Sequence, residues 1–170
     1  MLSGEVLADG FGRIREVVRS VLDGLDPQGL AHRPSGVGNS VGWLVWHLAR
    51  VQDDHLADAF DADQVWTSQG WVERFGLPFD PTDTGYGHDG DQVAAVQVDG
   101  QLLLAYLEAV HARTAEHLSA VTDEDLDRVV DASYDPPVTL GVRLVSVLSD
   151  DLQHAGQAAY VRGLLTSTAG

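Results

Sequence analysis

The chain has 170 residues and a formal net charge of −16, with 44% hydrophobic and 21% charged residues, as expected for one soluble globular domain with its own core. That acidity argues against nucleic-acid binding, where affinity comes from cations that neutralise phosphates, and equally against an anionic membrane surface. Cysteine and lysine are both absent, since all ten basic residues are arginine. Their absence removes disulfides, cysteine-ligated zinc, a thiol nucleophile, a Schiff-base lysine and a P-loop lysine. The opening M-L-S-G-E-V-L-A-D-G lacks the basic region of a signal peptide, and no apolar run approaches the ~20 residues that span a bilayer. The expected location is the cytoplasm.

In chain order, Leu7, Phe11, Ile14, Val17, Val18, Val21, Leu22 and Leu25 recur at helical spacing and predict a first helix over Glu5–Leu25, stopped by Asp26-Pro27. Residues Gln28–Asn39 read as a loop from their Gly, Pro and Ser content. Asn39 or Ser40 is placed to cap a second helix running to Phe60. Within it Trp43, Leu44, Val51 and Asp54 share a side with His47, whereas His55 lies about 80° round the axis. His47 therefore faces the core.

Residues 61–91 form a long Gly-, Pro- and Asp-rich connection that carries Trp66, Trp71, Phe75, Phe79, Tyr86 and His88. A stretch of this length either lines a functional pocket or caps an open end of the fold, and the residues alone leave both readings open. Exposed apolar side chains within Trp66–Phe79 would also suit a homodimer interface.

A third helical region spans Gln92–Val121, with Leu102, Leu103, Tyr106, Leu107, Val110, Thr114 and Leu118 as its buried stripe and a break near Gly100. Thr122-Asp123-Glu124-Asp125 resembles a capping box for a short helix through Val130. Asp131–Val138 is a proline-bounded connection, and Thr139 caps a last helix running to Leu165. Four long helices predict an all-α four-helix bundle formed by the whole of residues 1–170, with one long irregular connection between the second and third helices.

Chemistry concentrates in the last helix, at Ser149–Tyr160. Asp150 and His154 are four apart and project from one face, so a carboxylate oxygen and an imidazole nitrogen could take two positions on one metal ion. His47 is the best third ligand, since it lies mid-helix on the other apolar helix. Gln157, one turn beyond His154, is placed to orient a ligand. Asp151 is expected to be solvated, and Gly156 to admit a neighbouring helix.

The paired motifs G-W-L-V-W-H-L-A-R (Gly42–Arg50) and D-x-x-x-H-x-G-Q (Asp150–Gln157) resemble those of the DinB-like superfamily of four-helix-bundle metalloproteins. In that family three histidines commonly bind zinc or nickel, and this chain departs at Asp150, where many members have histidine. Mycothiol-dependent maleylpyruvate isomerases of the superfamily carry an acidic residue at the equivalent turn. The resemblance implies a divalent metal, zinc first with nickel or manganese as alternatives, on His47, Asp150 and His154. It also implies mycothiol as co-substrate in transfer to a small electrophile, with Arg143 and Arg162 as anchors for an anionic thiol cofactor. The alternatives it leaves are a non-catalytic metal-binding protein, a thiol-dependent isomerase and a metal-water hydrolase.

Overall fold

The structure, a computed structural model, describes residues 2–167. Its helices are α1 (Ser3–Leu22), α2 (Pro27–Ala31), α3 (Val41–Ala59), α4 (Val65–Ser68), α5 (Trp71–Phe75), α6 (Gly90–Ala95), α7 (Gly100–Ser119) and α8 (Leu140–Ser167). A two-stranded antiparallel hairpin of β1 (Val129–Asp131) and β2 (Val138–Thr139) precedes α8. The four long helices pack in a ring, with α3 against α8 and α7, and α1 against α7 and α8. The all-α class expected from the sequence holds.

Helix α1 ends at Leu22, three residues before the predicted stop, because Gly24 takes the left-handed conformation at φ 68° and turns the chain early. Asp26 then caps a new helix by accepting from the Gly29 N–H at 2.7 Å, with Pro27 at the first helical position. The supposed loop Gln28–Asn39 therefore begins with the short helix α2. Ser40 caps α3 by accepting from the Trp43 N–H.

Sixteen of the nineteen residues of α3 are buried, so its polar side chains must find partners inside. Asp53 accepts from the Val65 and Trp66 N–H groups at 2.8 and 2.7 Å and from the Tyr106 hydroxyl at 2.8 Å, which ties α4 and α7 to α3. Arg50 donates to Gln64 Oε1 at 2.9 Å and to the Asp83 carbonyl at 3.2 Å, faces Asp53 at 3.7 Å, and lies 5.0 Å over the Trp66 ring. Gln52 donates to Thr114 on α7.

The long connection is more ordered than its composition suggests. Trp66, Trp71 and Phe75, carried on α4 and α5, are buried around Tyr106 at ring distances of 5.1, 5.5 and 5.6 Å. These aromatics cap the helices as core. This corrects the expectation that they form an exposed apolar surface for a second copy. The third helical region divides at Gly100 as expected, with Asp89 capping α6 and Asp99 capping α7. The predicted stripe of α7 is buried from Leu103 to Leu118, with Leu102 only partly so.

Thr122 and Asp125 form the expected reciprocal cap, but only a single 3-10 turn over Asp125–Asp127 follows. The β-branched Val129 and Val130 then enter the hairpin instead of a helix, as their strand preference favours. Thr139 Oγ1 accepts from the Val142 N–H at the start of α8.

Two readings of α8 are corrected. Gly156 faces open space and admits no neighbouring helix. Asp151 is fully buried, and neither of its carboxylate oxygens has a hydrogen-bond partner among the described residues. Burial first, and the charge of Asp150 second, push its carboxyl well above the usual carboxylate range. The folded chain thus holds a proton that the unfolded chain releases above about pH 4, and stability falls as pH rises through that window. Asp151→Leu is expected to stabilise the protein at neutral pH by about 1–3 kcal/mol, with a gain that shrinks toward pH 4, as measured by urea unfolding across pH.

Candidate metal centre

Helices α3 and α8 run in opposite directions, since His47 meets His154 while His55 meets Arg143. Their interface brings His47, Asp150 and His154 together, with one donor atom from each lying within 4.8 Å of the others. The i,i+4 pair on α8 gives His154 Nε2 to Asp150 Oδ1 at 3.6 Å, too long for a hydrogen bond. The His47 and His154 rings stand nearly perpendicular, with centroids 4.8 Å apart.

Each imidazole is oriented through its other nitrogen. A carbonyl can only accept, so His47 Nδ1–H donates to the Thr84 carbonyl at 2.5 Å. His154 Nδ1–H donates to Gln157 Oε1 at 3.0 Å, the partner expected from the helical spacing. Both Nε2 atoms are thereby left as lone-pair donors for the cluster, the arrangement found around ligating histidines. Asp150 Oδ2 is shielded from solvent and has no hydrogen-bond partner among the described residues. Two imidazole nitrogens and one carboxylate suit a divalent ion of borderline hardness.

Burial, the largest influence, pulls the His47 pKa below that of ordinary imidazole, while the Thr84 carbonyl acts the other way. His47 is accordingly neutral at pH 7 and can ligate without first losing a proton. Trp43 stacks on it at 4.6 Å and 14° and meets His154 edge-on at 6.3 Å, walling one side of the cluster. Loop residue Gly85 lies against the same rings at φ 90°. A Cβ there would sit 2.9 Å from both His47 Nδ1 and the Trp46 ring.

A family model described as the DinB superfamily matches residues 11–158. The chain belongs to the DinB superfamily. A crystal structure described as that of a conserved protein from Enterococcus faecalis is similar to it, with TM-score 0.91 and 34% identity, over 98% of this chain and 99% of that one. A search of curated proteins finds no match.

In this DinB-superfamily chain the two arginines singled out from sequence hydrogen-bond to groups other than the three donors. Arg162 donates to the Val21 and Asp23 carbonyls at the end of α1. Arg143 lines a cavity of about 470 Å³ with His55, Asp54, Asp58, Gln64 and Asp131. It donates to Asp131 at 3.2 Å and to His55 Nδ1 at 3.3 Å, so the remaining acidic groups leave the cavity net negative. His117 stacks on Phe60 at 4.4 Å, away from the cluster. Sequence reasoning missed the role of Thr84 and the Asp83–His88 contacts with α3. The only signal available was a glycine-flanked T-G-Y-G-H run in the long connection.

Proposed function

We propose that this DinB-superfamily protein holds a divalent metal ion on His47, Asp150 and His154 and uses it to activate a low-molecular-weight thiol, mycothiol first, for attack on a small electrophile. The observation that carries the reading is the convergence of two oriented Nε2 lone pairs and a partnerless carboxylate oxygen between α3 and α8. Zinc fits this donor set best, with nickel or manganese as alternatives. When bound, the ion supplies the Lewis acidity that makes a thiol a nucleophile near neutral pH.

The chain's own residues do the rest. Thr84 and Gln157 hold the two imidazoles in one tautomer, and Asp150 contributes the negative charge that offsets part of the ion's. Trp43 keeps water from one face of His47. Three protein ligands leave a further coordination position open, as catalytic sites do. With no cysteine in the chain, the nucleophilic sulfur has to come from a separate small molecule.

The test is elemental analysis of the purified protein together with transfer of mycothiol to a small electrophile, before and after chelation. About one equivalent of metal and a chelator-sensitive rate above that of free thiol are expected. A protein that carries no metal and takes up none when supplied would refute the proposal. A metal-loaded protein that leaves the thiol rate unchanged would make it a non-catalytic binder.

A further inference from the structure

The run Asp83–His88, D-T-G-Y-G-H, crosses α3 at three side chains of one helical face, Trp43, His47 and Arg50, spaced four and three apart. Trp43 Nε1–H donates to His88 Nδ1 at 3.1 Å. That nitrogen must then be unprotonated, so His88 Nε2–H donates to Asp83 Oδ2 at 3.0 Å. The other oxygen of the same carboxylate accepts from the Gly85 N–H at 2.7 Å. Between those two residues lies Thr84, whose carbonyl receives His47 Nδ1–H, while Arg50 Nε–H holds the Asp83 carbonyl at 3.2 Å. His47 stacks back on Trp43, which closes the circuit.

Two observations make this more than loop packing. His88 has a side chain only 2% exposed, between Trp46 at 5.7 Å and Phe79 at 4.6 Å, a slot that a phenyl ring would fill. Yet both of its nitrogens are used, one toward α3 and one toward the loop. The second observation is that the circuit terminates on His47 Nδ1, which leaves Nε2 as the lone-pair nitrogen of that ring. Whatever fixes the Thr84 carbonyl therefore fixes which nitrogen the cluster receives.

We infer that Asp83 and His88 are positioning residues for His47: they hold the Thr84 carbonyl and the Trp43 ring in place, so that the Nε2 lone pair is presented to the metal centre. Neither is a ligand. The inference uses the metal reading for its affinity readout, whereas its tautomer readout is independent of that reading.

The experiment compares wild type with His88→Phe, which keeps the ring, Asp83→Ala, and Asp83→Asn, which keeps an acceptor oxygen. Imidazole ¹⁵N shifts are recorded on metal-free, folded protein at neutral pH, and Zn²⁺ affinity is measured by chelator competition. In wild type, His47 is expected as a single Nδ1–H tautomer. In His88→Phe and Asp83→Ala it becomes a tautomer mixture, and Zn²⁺ binding weakens by about 10–100-fold. Asp83→Asn is expected to recover most of that loss.

Folded His88→Phe and Asp83→Ala proteins that keep the single tautomer overturn the inference, whatever their affinity. So does an altered tautomer with Zn²⁺ affinity within about twofold of wild type. Should Asp83→Ala fail to fold, His88→Phe and Asp83→Asn decide the matter. Should wild type bind no Zn²⁺, the metal reading fails and the tautomer comparison alone decides the positioning role.

Discussion

In the His154→Ala protein, bound metal is expected to fall from about one equivalent to trace levels, with Zn²⁺ affinity weakened beyond the roughly 100-fold that marks the upper end for outer partners of a ligand. In the proposed site His154 is one of three donors, and no fourth His, Asp or Glu joins the cluster among the described residues. Gln157, its hydrogen-bond partner, lies one turn further on, and Asp151 is buried on another side of α8. Thiol transfer should be lost in parallel. The His154 side chain is only 17% exposed, so unfolding is measured alongside, and an unaltered unfolding curve beside lost metal would locate the defect in the site. Retention of both metal and transfer in the alanine variant would remove His154 from the centre. His47→Ala is expected to lose metal too, but it also opens space beneath Trp43, which makes His154 the cleaner test.

The second large effect is on stability. Asp53→Ala leaves Arg50 buried without its carboxylate and strips an acceptor from the Val65 and Trp66 N–H groups and the Tyr106 hydroxyl. Breaking a buried pair by removing one partner typically costs about 3–5 kcal/mol. For a chain of this size that corresponds to a fall in Tm of roughly 6–20 °C. Burial raises the Asp53 pKa, and the two N–H donors, Tyr106 and Arg50 pull it back. Asp53→Asn keeps one acceptor oxygen and should lose less. Calorimetry of the two variants decides the matter, and a Tm for Asp53→Ala within about 2 °C of wild type would show that the network contributes little.

The helical skeleton was legible because its signals are local. Apolar residues at helical spacing, Ser40 and Thr139 as caps, and the stripe from Leu103 to Leu118 all depend on neighbours within a few turns. The pairing of Asp150 with His154, and of His154 with Gln157, follows from the same one-turn geometry. His47 could be assigned to the core side of its helix for that reason as well.

What escaped the sequence depends on contacts between distant segments. Asp151 looks like any acid on a helix, and its burial follows only from how α8 is seated among its neighbours. Trp66, Trp71 and Phe75 could be read as pocket wall or as a cap on an open end until Tyr106, some thirty to forty residues later, gathers them into the core. The Thr84 carbonyl is a backbone group, chemically the same at every position, and nothing in residue identity could mark it as the partner of His47.

Residue order by itself determined the four long helices, the family motifs and the one-turn pairing of Asp150 with His154 in the proposed metal site, since each rests on spacing within one segment. Tertiary structure alone decided which nitrogen of His47 is hydrogen-bonded, which acid is buried and what becomes of Arg143 and Arg162. Those outcomes depend on the environment that packing builds around a side chain, and that environment comes from residues far away along the chain.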